Sequence, residues 1–372
     1  MRAVGIILAG GDSNKLRELT YRRAVAAMPI AGSYRSIDFA LSNMANSHVN
    51  KVAVLTQYNS RSLNEHLNSS KWWDFGRKQG GLYVFPPTIT KENGDWYRGT
   101  ADAIYQNLDF LKRCHEPYVI ITSGDAVYKL DYSKVLEYHM DTKADITVVC
   151  KEMESDTDFS RFGTVKVNDE MRIVEFEEKI SLPSSHLIST GIYIIRRRML
   201  IDLIEQSAVE KKYDFVRDIL IRYKNLKRIC AYKLEDYWCN IATVDAYYRA
   251  NMDFLKPEVR KYFWRDYPAV YSKVTDLPPA KYNPGAAVKN SLVSSGCIIN
   301  GTVENSVLFK KVFVGNNCVI RNSIILNDVY LGNNTYIENC IVESRSTIRA
   351  NTRYVSGDGV QIVVEDGERY EL

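Results

Sequence analysis

The chain has 372 residues, of which 45% are hydrophobic and 25% are charged, and its formal net charge is +4. This composition is typical of a globular protein, and the length allows two domains. The basic residues are dispersed and the net charge is small, so the composition argues against a nucleic-acid-binding protein. No stretch approaches the roughly 20 apolar residues of a membrane span. We therefore expect no membrane among the partners, and on the charge argument no nucleic acid.

The cysteines indicate the cellular compartment. Seven are scattered along the chain without a CxxC pair, and an odd, unpaired set of thiols is typical of a reducing environment. The first residues also lack the charged and apolar regions of a secretory signal peptide. We therefore predict a cytoplasmic protein with buried free thiols.

Residues 1–245 alternate strand-like and helix-like patterns, which predict an α/β domain. Four apolar runs suit parallel strands covered on both faces: 2–9, 51–56, 118–122 and 146–150. Between them, apolar residues over 101–111 repeat at helical spacing. We predict a doubly wound, mostly parallel, Rossmann-like sheet. Ligands of such sheets bind at the carboxyl ends of the strands, where Gly10, Gly11 and Asp125 fall.

The last part of the chain, 286–372, follows a different pattern. Four six-residue units each open with an aliphatic residue: 314–319, 320–325, 331–336 and 337–342. This repeat predicts a left-handed parallel β-helix with the aliphatic residues inside and asparagines at the corners; an irregular β-sandwich is the alternative. Residues 246–285 are predicted to form a linker helix and a proline-rich connection.

The segment that follows the first strand has the pattern of a phosphate loop. It begins with Gly10-Gly11, and we expect a helix after it. Backbone amides of such a loop can bind phosphate, helped by the positive end of the helix dipole. A glycine pair alone also fits an ordinary tight turn.

Six segments together resemble the bacterial glucose-1-phosphate adenylyltransferase (ADP-glucose pyrophosphorylase) family: 34–43, 96–107, 123–132, 176–179, 189–193 and 236–240. The resemblance extends through the β-helix and covers essentially the whole chain. It implies a nucleotidyltransferase-type first domain and the synthesis of ADP-glucose and pyrophosphate from ATP and glucose 1-phosphate, for glycogen. Positioning and charge stabilisation do most of the catalysis in phosphoryl-type transfers, and nucleotidyl transfer should be similar.

The resemblance also implies roles for particular residues. Nucleotide binding is assigned to two segments: Leu8, Gly10, Gly11, Gly99, Thr100 and Ala101. Binding of the sugar phosphate is assigned to a second group: Glu178, Lys179, Ser189, Thr190 and Gly191. The implied Mg²⁺ ligand is Asp125. Three arginines lie in the region where allosteric relatives bind anionic effectors: Arg22, Arg23 and Arg35.

Four positions depart from the active members of that family. The later glycine of the loop is Ser13 and its arginine is Lys15, which adds a Cβ and removes a bidentate fork. An expected lysine is Val25, so a cation next to the phosphates is lost. The second Mg²⁺ carboxylate is Asn240, which leaves a neutral oxygen and a weakened metal site.

These departures are similar to those of the GlgD-type glycogen biosynthesis protein, the non-catalytic or regulatory subunit within this family. We therefore predict a catalytically weak or inactive regulatory subunit that forms a heterotetramer with the catalytic subunit and binds a sugar phosphate or nucleotide effector. The alternative is a working adenylyltransferase with unusual metal ligation. A hexapeptide-repeat acyltransferase is disfavoured, because none of the five histidines lies in 286–372, where such enzymes keep their catalytic base.

The β-helix carries apolar residues that we predict to face outward. These are Val307, Phe309, Val312 and Phe313. Exposed apolar patches usually mark protein interfaces. We therefore expect these four side chains to form part of the contact with the catalytic subunit.

Overall fold

The structure, a computed structural model, describes residues 2–11, 14–76, 80–88, 96–155 and 157–366. The strands of the first domain are β1 (Ala3–Ala9), β2 (Pro29–Ile30), β3 (Tyr34–Arg35), β4 (Lys51–Thr56), β5 (Gly81–Phe85), β6 (Tyr118–Ser123), β7 (Ala126–Tyr128), β8 (Ile146–Glu152), β9 (Gly163–Val167), β10 (Ile173–Glu178), β11 (Leu187–Arg196), β12 (Ile229–Lys233) and β13 (Trp238–Asn240). The α-helices are α1 (Ser36–Asn46), α2 (Arg61–Leu67), α3 (Thr100–Gln106), α4 (Leu108–Arg113), α5 (Tyr132–Asp141), α6 (Arg197–Val209), α7 (Val244–Asp253) and α8 (Pro257–Arg260). Short 3₁₀ and π turns occupy Asn14–Thr20, Val25–Ala27, Ser70–Trp73, Phe159–Arg161, Val216–Ile221 and Lys261–Arg265.

Nine strands form the central sheet in the order β10-β9-β11-β6-β1-β4-β5, with β8 beside β11 and β12 beside β8. Strands β5, β4, β1 and β6 are parallel, whereas β11 is antiparallel to β6. Ile7 belongs to the core shared with α1 and α5, and Ile6 to the core shared with α3 and α6. Helices therefore cover both faces of the apolar strands, which confirms the doubly wound α/β fold. The helical repeat over 101–111 is confirmed as α3 and α4, which meet at Asn107.

The segment after the glycine loop is not an α-helix, so that prediction is wrong. Asn14–Thr20 forms 3₁₀ turns interrupted at Arg17, whose φ of 51° and ψ of −131° are not helical. Leu16 and Leu19 are buried, and their packing rather than a regular hydrogen-bond ladder holds the segment in place. The dipole of a regular α-helix is therefore not available to the loop.

The last part of the chain is the predicted left-handed parallel β-helix. Its strands are β14 (Lys281–Tyr282), β15 (Ala287–Lys289), β16 (Leu292–Val293), β17 (Ile298–Ile299), β18 (Thr302–Glu304), β19 (Val307–Leu308), β20 (Phe313–Val314), β21 (Val319–Arg321), β22 (Ile324–Ile325), β23 (Tyr330–Leu331), β24 (Tyr336–Glu338), β25 (Cys340–Val342), β26 (Thr347–Ile348), β27 (Arg353–Val355) and β28 (Gln361–Val363). They form three five-stranded parallel sheets. The residues that open the repeat units are fully buried, as predicted: Val314, Ile320, Leu331 and Ile337. Corner asparagines adopt positive φ, and Asn317 Nδ2 donates to Asn334 Oδ1 of the next coil at 3.1 Å.

The prediction of outward apolar residues is wrong for three of its four positions. Val307, Phe309 and Val312 are at most 1% exposed. Val307 and Phe309 pack in an apolar cluster that joins the β-helix to α7 and the first domain, whereas Val312 lies inside the coils. One β-helix face is thus buried within the chain itself, which the repeat pattern alone does not reveal. Phe313 is half-buried on another face.

Polar contacts reinforce this junction between the domains. Arg23 pairs with Glu343 of the β-helix, with side chains only 14% and 11% exposed. The Tyr248 hydroxyl donates to the Asn322 carbonyl at 2.7 Å. The Ser294 hydroxyl donates to the carbonyl of Gly32, which has a φ of +79° and no room for a Cβ beside Ser294. The two domains therefore share one continuous interface, although the connection between them spans α7, α8 and the stretch up to β14.

The cysteine side chains are consistent with packing roles. Six of the seven are buried thiols, and Cys239 is partly exposed. Burial raises the pKa of Cys150 and Cys340, the latter to about 11, which disfavours the reactive thiolate. In the part of the chain that the structure describes, no helix is long and apolar enough to cross a membrane.

Candidate functional site

A cavity of about 590 Å³ opens beside the carboxyl end of β6 and the start of β7, where Ser123 and Asp125 line it, and it is bordered by β9, β10 and β11. This volume is in the range of small-molecule sites, about 300–1,000 Å³. The polar and charged residues of its lining include Lys15, Asp125, Arg161, Glu178, Lys179, Ser189, Thr190 and Asn240. The structure therefore brings the residues assigned to metal and sugar-phosphate binding to one place, the strand ends at which ligands of such sheets bind.

Asp125 and Asn240 are placed next to each other by two short strands. In the β7–β13 pair, Asn240 lies opposite Ala126, and the Ile241 amide donates to the Asp125 carbonyl at 2.9 Å. The Asp125 carboxylate accepts a hydrogen bond from the Ser123 hydroxyl. The two positions that the resemblance assigns to the metal therefore lie on neighbouring segments.

Arg161 is a cavity residue that the sequence reasoning missed. Its Nη2 donates to Asn240 Oδ1 at 2.9 Å, and the Ala242 amide donates to the same oxygen at 3.0 Å. The guanidinium also lies over the Phe162 ring, with its carbon 5.2 Å from the ring centroid. The partners are 79 residues apart in sequence, so no local pattern could have signalled the contact.

The residues present do not fit a Mg²⁺ ion. Magnesium in nucleotide sites relies on one or two carboxylates, and Asp125 faces Asn240 where the resemblance places the second. The Asn240 oxygen already accepts two hydrogen bonds, one of them from the Arg161 cation. Among the described residues, no group of three or more His, Cys, Asp or Glu side chains is arranged to hold a metal. A fixed positive charge beside the position also opposes a divalent cation.

The residues assigned to the sugar phosphate form the opposite side of the cavity. Lys179 Nζ is 3.5 Å from Glu178 Oε1, and the lysine side chain is 63% exposed. Burial raises the pKa of the Glu178 carboxyl, and the Lys179 charge opposes that shift. A β-bulge between Ser189 and Ile192 turns β11 at Gly191, whose φ is +77°. Bulges of this kind are common next to active sites, because they re-aim neighbouring side chains.

The residues assigned to the nucleotide are not gathered at the cavity lining. Gly99 packs on Tyr213, where a Cβ would come within 2.4 Å of the Tyr213 carbonyl oxygen. The Ala101 amide donates to that carbonyl at 2.8 Å, and Thr100 Oγ1 accepts from the Phe215 amide at 2.9 Å. These three positions therefore anchor the start of α3 to another loop.

The other nucleotide-assigned residues, Leu8, Gly10 and Gly11, lie at the end of β1 and in the loop that follows it. The Leu8 carbonyl accepts from the Gly124 amide at 3.0 Å, which ties β1 to the strand end that carries Asp125. A Cβ at Gly10 would lie 3.0 Å from the Gln57 Cβ, whereas Gly11 faces open space. Both glycines thus follow the carboxyl end of β1, as their sequence position indicates.

Three of the degenerate positions differ in their surroundings. Lys15 is exposed and lines the cavity. Val25 is 7% exposed and packs in the apolar cluster at the domain junction, so a methyl-bearing side chain has become part of the core there. Ser13 lies outside the described residues.

The three arginines assigned to an effector anion have different environments. Arg22 is exposed. Arg23 is engaged by Glu343, and Arg35 Nη1 donates to the Ser62 carbonyl at 2.8 Å. The charge of Arg23 is therefore balanced within the chain rather than presented to solvent.

Comparison with known proteins identifies the class of this fold and site. A family model described as nucleotidyl transferase matches residues 4–257, and a model described as GlmU-like, C-terminal hexapeptide matches residues 278–360. A nucleotidyltransferase domain followed by a hexapeptide β-helix is the architecture described above.

Individual relatives narrow the family. A glucose-1-phosphate adenylyltransferase of Clostridium beijerinckii is 41% identical over 369 residues, 98% of this chain and 95% of that protein. Enzymes of the same name from Clostridium botulinum (strain Eklund 17B / Type B) and Bacillus thuringiensis (strain Al Hakam) are 42% and 41% identical, covering 85% and 86% of this chain and 83% and 85% of those proteins. The chain belongs to the glucose-1-phosphate adenylyltransferase family.

Proposed function

We propose that this chain is a regulatory subunit of glucose-1-phosphate adenylyltransferase that has little or no activity alone. It supports ADP-glucose synthesis for glycogen by acting on a catalytic partner. The observation that carries this proposal is the contact between Asn240 and Arg161. It replaces a carboxylate–metal interaction by a neutral oxygen bound to a fixed cation.

A second observation supports loss of catalysis. The lysine expected at position 25 is a buried valine at the domain junction. A cation and a carboxylate that active family members are expected to carry are thus both absent from their positions. Electrostatic groups aimed at developing charge usually supply the largest single contribution to rate.

The second candidate is a working adenylyltransferase. The similarity to relatives that carry that name, together with the retained cavity, favours it. In that case the Asn240 oxygen and Asp125 together would have to serve in place of two carboxylates. A turnover assay of the purified chain decides between the candidates.

We also propose that the partner subunit binds the β-helix. An outward row of apolar side chains crosses three strands of one sheet: Ile298, Phe313 and Tyr330 are neighbours in the parallel register. Ile298 is 36% exposed, and the Phe313 and Tyr330 rings stack at 4.8 Å between centroids. A row of this kind suits the hexapeptide domain of a second, related chain, and we assign the heterotetramer contact to it.

Substituting Ile298→Lys is expected to disrupt that assembly, because the contact would then bury an unpaired ammonium group. Val288→Lys is the matched control, since Val288 is 38% exposed on a neighbouring sheet of the same β-helix. The measurement is size-exclusion chromatography with light scattering on the chain co-expressed with its catalytic subunit. Wild type and Val288→Lys should co-elute with the partner, and Ile298→Lys should not. If wild type never co-elutes and leaves the partner's kcat and KM unchanged, the regulatory assignment is wrong.

Lys179 is expected to contribute to the binding of glucose 1-phosphate. Its replacement by alanine should weaken binding about tenfold, because hydrogen bonds to charged groups contribute about 1.5–3 kcal/mol. Isothermal titration calorimetry checks this, with Lys166→Ala as the control, because Lys166 is an exposed residue of β9 outside the cavity lining. Equal affinities for wild type and Lys179→Ala would show that Glu178 and Lys179 form only a surface ion pair without a role in binding.

A further inference from the structure

Charged side chains in the cavity lining favour an anionic ligand. Lys15, Arg161 and Lys179 are basic, whereas Asp125 and Glu178 are acidic. Burial raises the pKa of Glu178 although Lys179 opposes it, which reduces the net negative contribution of that carboxyl. The cavity therefore suits a phosphate group better than a bare divalent cation.

Arg161 is held in a fixed position at the cavity wall. Asn240 Oδ1 accepts from its Nη2, and the guanidinium rests on the Phe162 ring. Burial lowers the pKa of Arg161, while the charges of Asp158 and Asp125 oppose that shift. Since a guanidinium stays protonated in proteins, a permanent positive charge is built into this wall.

A second basic residue of the cavity lining, Lys15, comes from a different part of the chain. The pKa of Asp158 lies below its ordinary value because Ser160 donates to the carboxylate, and the Lys15 and Arg161 charges lower it further. Lys15 belongs to the 3₁₀ segment after β1, whereas Arg161 directly precedes β9. Two loops thus contribute cations to the cavity lining.

We propose that the Arg161 guanidinium takes the place of a divalent cation in this cavity and holds the phosphate of a sugar phosphate without metal. A planar guanidinium can bind two phosphate oxygens at once, and it needs no second carboxylate to keep it in place. Asn240 suits this role better than an aspartate, because a neutral oxygen orients the guanidinium without cancelling its charge. The inference deepens the proposed function, on which it rests for the class of ligand.

The test is calorimetric titration of glucose 1-phosphate into the full chain, once with excess EDTA and once with Mg²⁺ in place of EDTA. The two dissociation constants should agree within about twofold, because a metal that is not coupled to the ligand leaves its affinity unchanged. Arg161→Ala should weaken binding about tenfold or more under both conditions. The affinity of Arg161→Lys, which keeps the charge and loses the bidentate fork, should lie between the affinities of wild type and Arg161→Ala.

Asn240→Asp is the matched control for metal coupling. It restores the carboxylate beside Asp125, and Mg²⁺ should then tighten binding in the variant but not in wild type. The unfolding midpoint in urea is followed for each variant. If Arg161→Ala lowers that midpoint, Arg161→Gln, which retains bulk and a donor for Asn240, replaces it in the titration.

The outcomes separate this inference from the proposed function. Wild-type binding that requires Mg²⁺, no measurable binding under either condition, or unchanged affinity in the Arg161 variants each overturns the role of Arg161. Co-elution with the catalytic subunit would in those cases still stand. Metal-independent binding that is lost with Arg161, by a chain that never co-elutes with a catalytic subunit, supports the inference and overturns the regulatory function instead.

Discussion

Purified alone, the chain is expected to form ADP-glucose from ATP and glucose 1-phosphate at less than about one hundredth of the turnover of an ordinary enzyme, about 10 s⁻¹. Removal of one preorganised electrostatic group costs about 10²–10³ in kcat. Asn240 lacks the carboxylate charge and is bound to Arg161, and Val25 is part of the apolar junction. Because such groups act together in one catalytic step, the effects of losing them are not additive. The rate is measured as pyrophosphate formed from ATP and glucose 1-phosphate by the purified chain, with an active family member as the positive control.

Reversion variants show how much of the remaining site is intact. Asn240→Asp with Ser13→Gly introduces the carboxylate and the loop glycine that active family members are expected to carry at these positions. Adding Val25→Lys places an ammonium group where the chain has a side chain that is 7% exposed, so the triple variant also tests whether the junction tolerates it. Turnover that appears in the reverted chains supports decay at these positions. A wild-type kcat within tenfold of ordinary enzymes would refute the regulatory assignment.

Glu343→Ala is expected to destabilise the protein by about 3–5 kcal/mol, because it leaves the Arg23 guanidinium buried without its counter-charge. The two side chains are only 14% and 11% exposed, and the contact joins positions 320 residues apart in sequence. Burial raises the pKa of Glu343 although Arg23 opposes it, which indicates that this carboxyl is desolvated. The free energy of unfolding in urea, from the midpoint and slope of the transition, is the quantity to compare.

A second ion pair of the β-helix provides the control. Arg321 Nε is 3.1 Å from Glu304 Oε2, and these side chains are 46% and 31% exposed. Because ion pairs of this exposure contribute about 0–1 kcal/mol, Glu304→Ala should change the stability little. Equal losses for Glu343→Ala and Glu304→Ala would show that the domain junction does not depend on the buried pair.

Much of this architecture could be predicted from the sequence because it follows from local periodicity. Apolar runs between helical repeats predict the parallel core of the sheet. The six-residue repeat predicts the coils, since each unit must bury its aliphatic side chain on the next coil. The position of Asp125 directly after an apolar strand likewise predicts that it lies at the ligand-binding edge.

The tertiary structure decided whether an apolar side chain packs inside the coils or in the domain junction. In the pair Val307-Leu308, the first residue packs in the domain junction and the second inside the coils. The repeat pattern shows that both residues are apolar. Only the docking of α7 on the β-helix explains why the residue that points away from the coil interior, Val307, is apolar as well. The prediction of an exposed patch at this position failed for that reason.

The character of the cavity was also decided by contacts between distant segments. The sequence indicates that Asn240 lacks a charge, whereas only the fold shows that Arg161, 79 positions away, donates to its oxygen. Arg23 shows the same limit, because its counter-charge lies in the β-helix. Periodicity indicates in what kind of element a residue lies and which positions are apolar, since it depends on neighbours along the chain. The charge environment depends on distances between atoms that only the folded chain brings together.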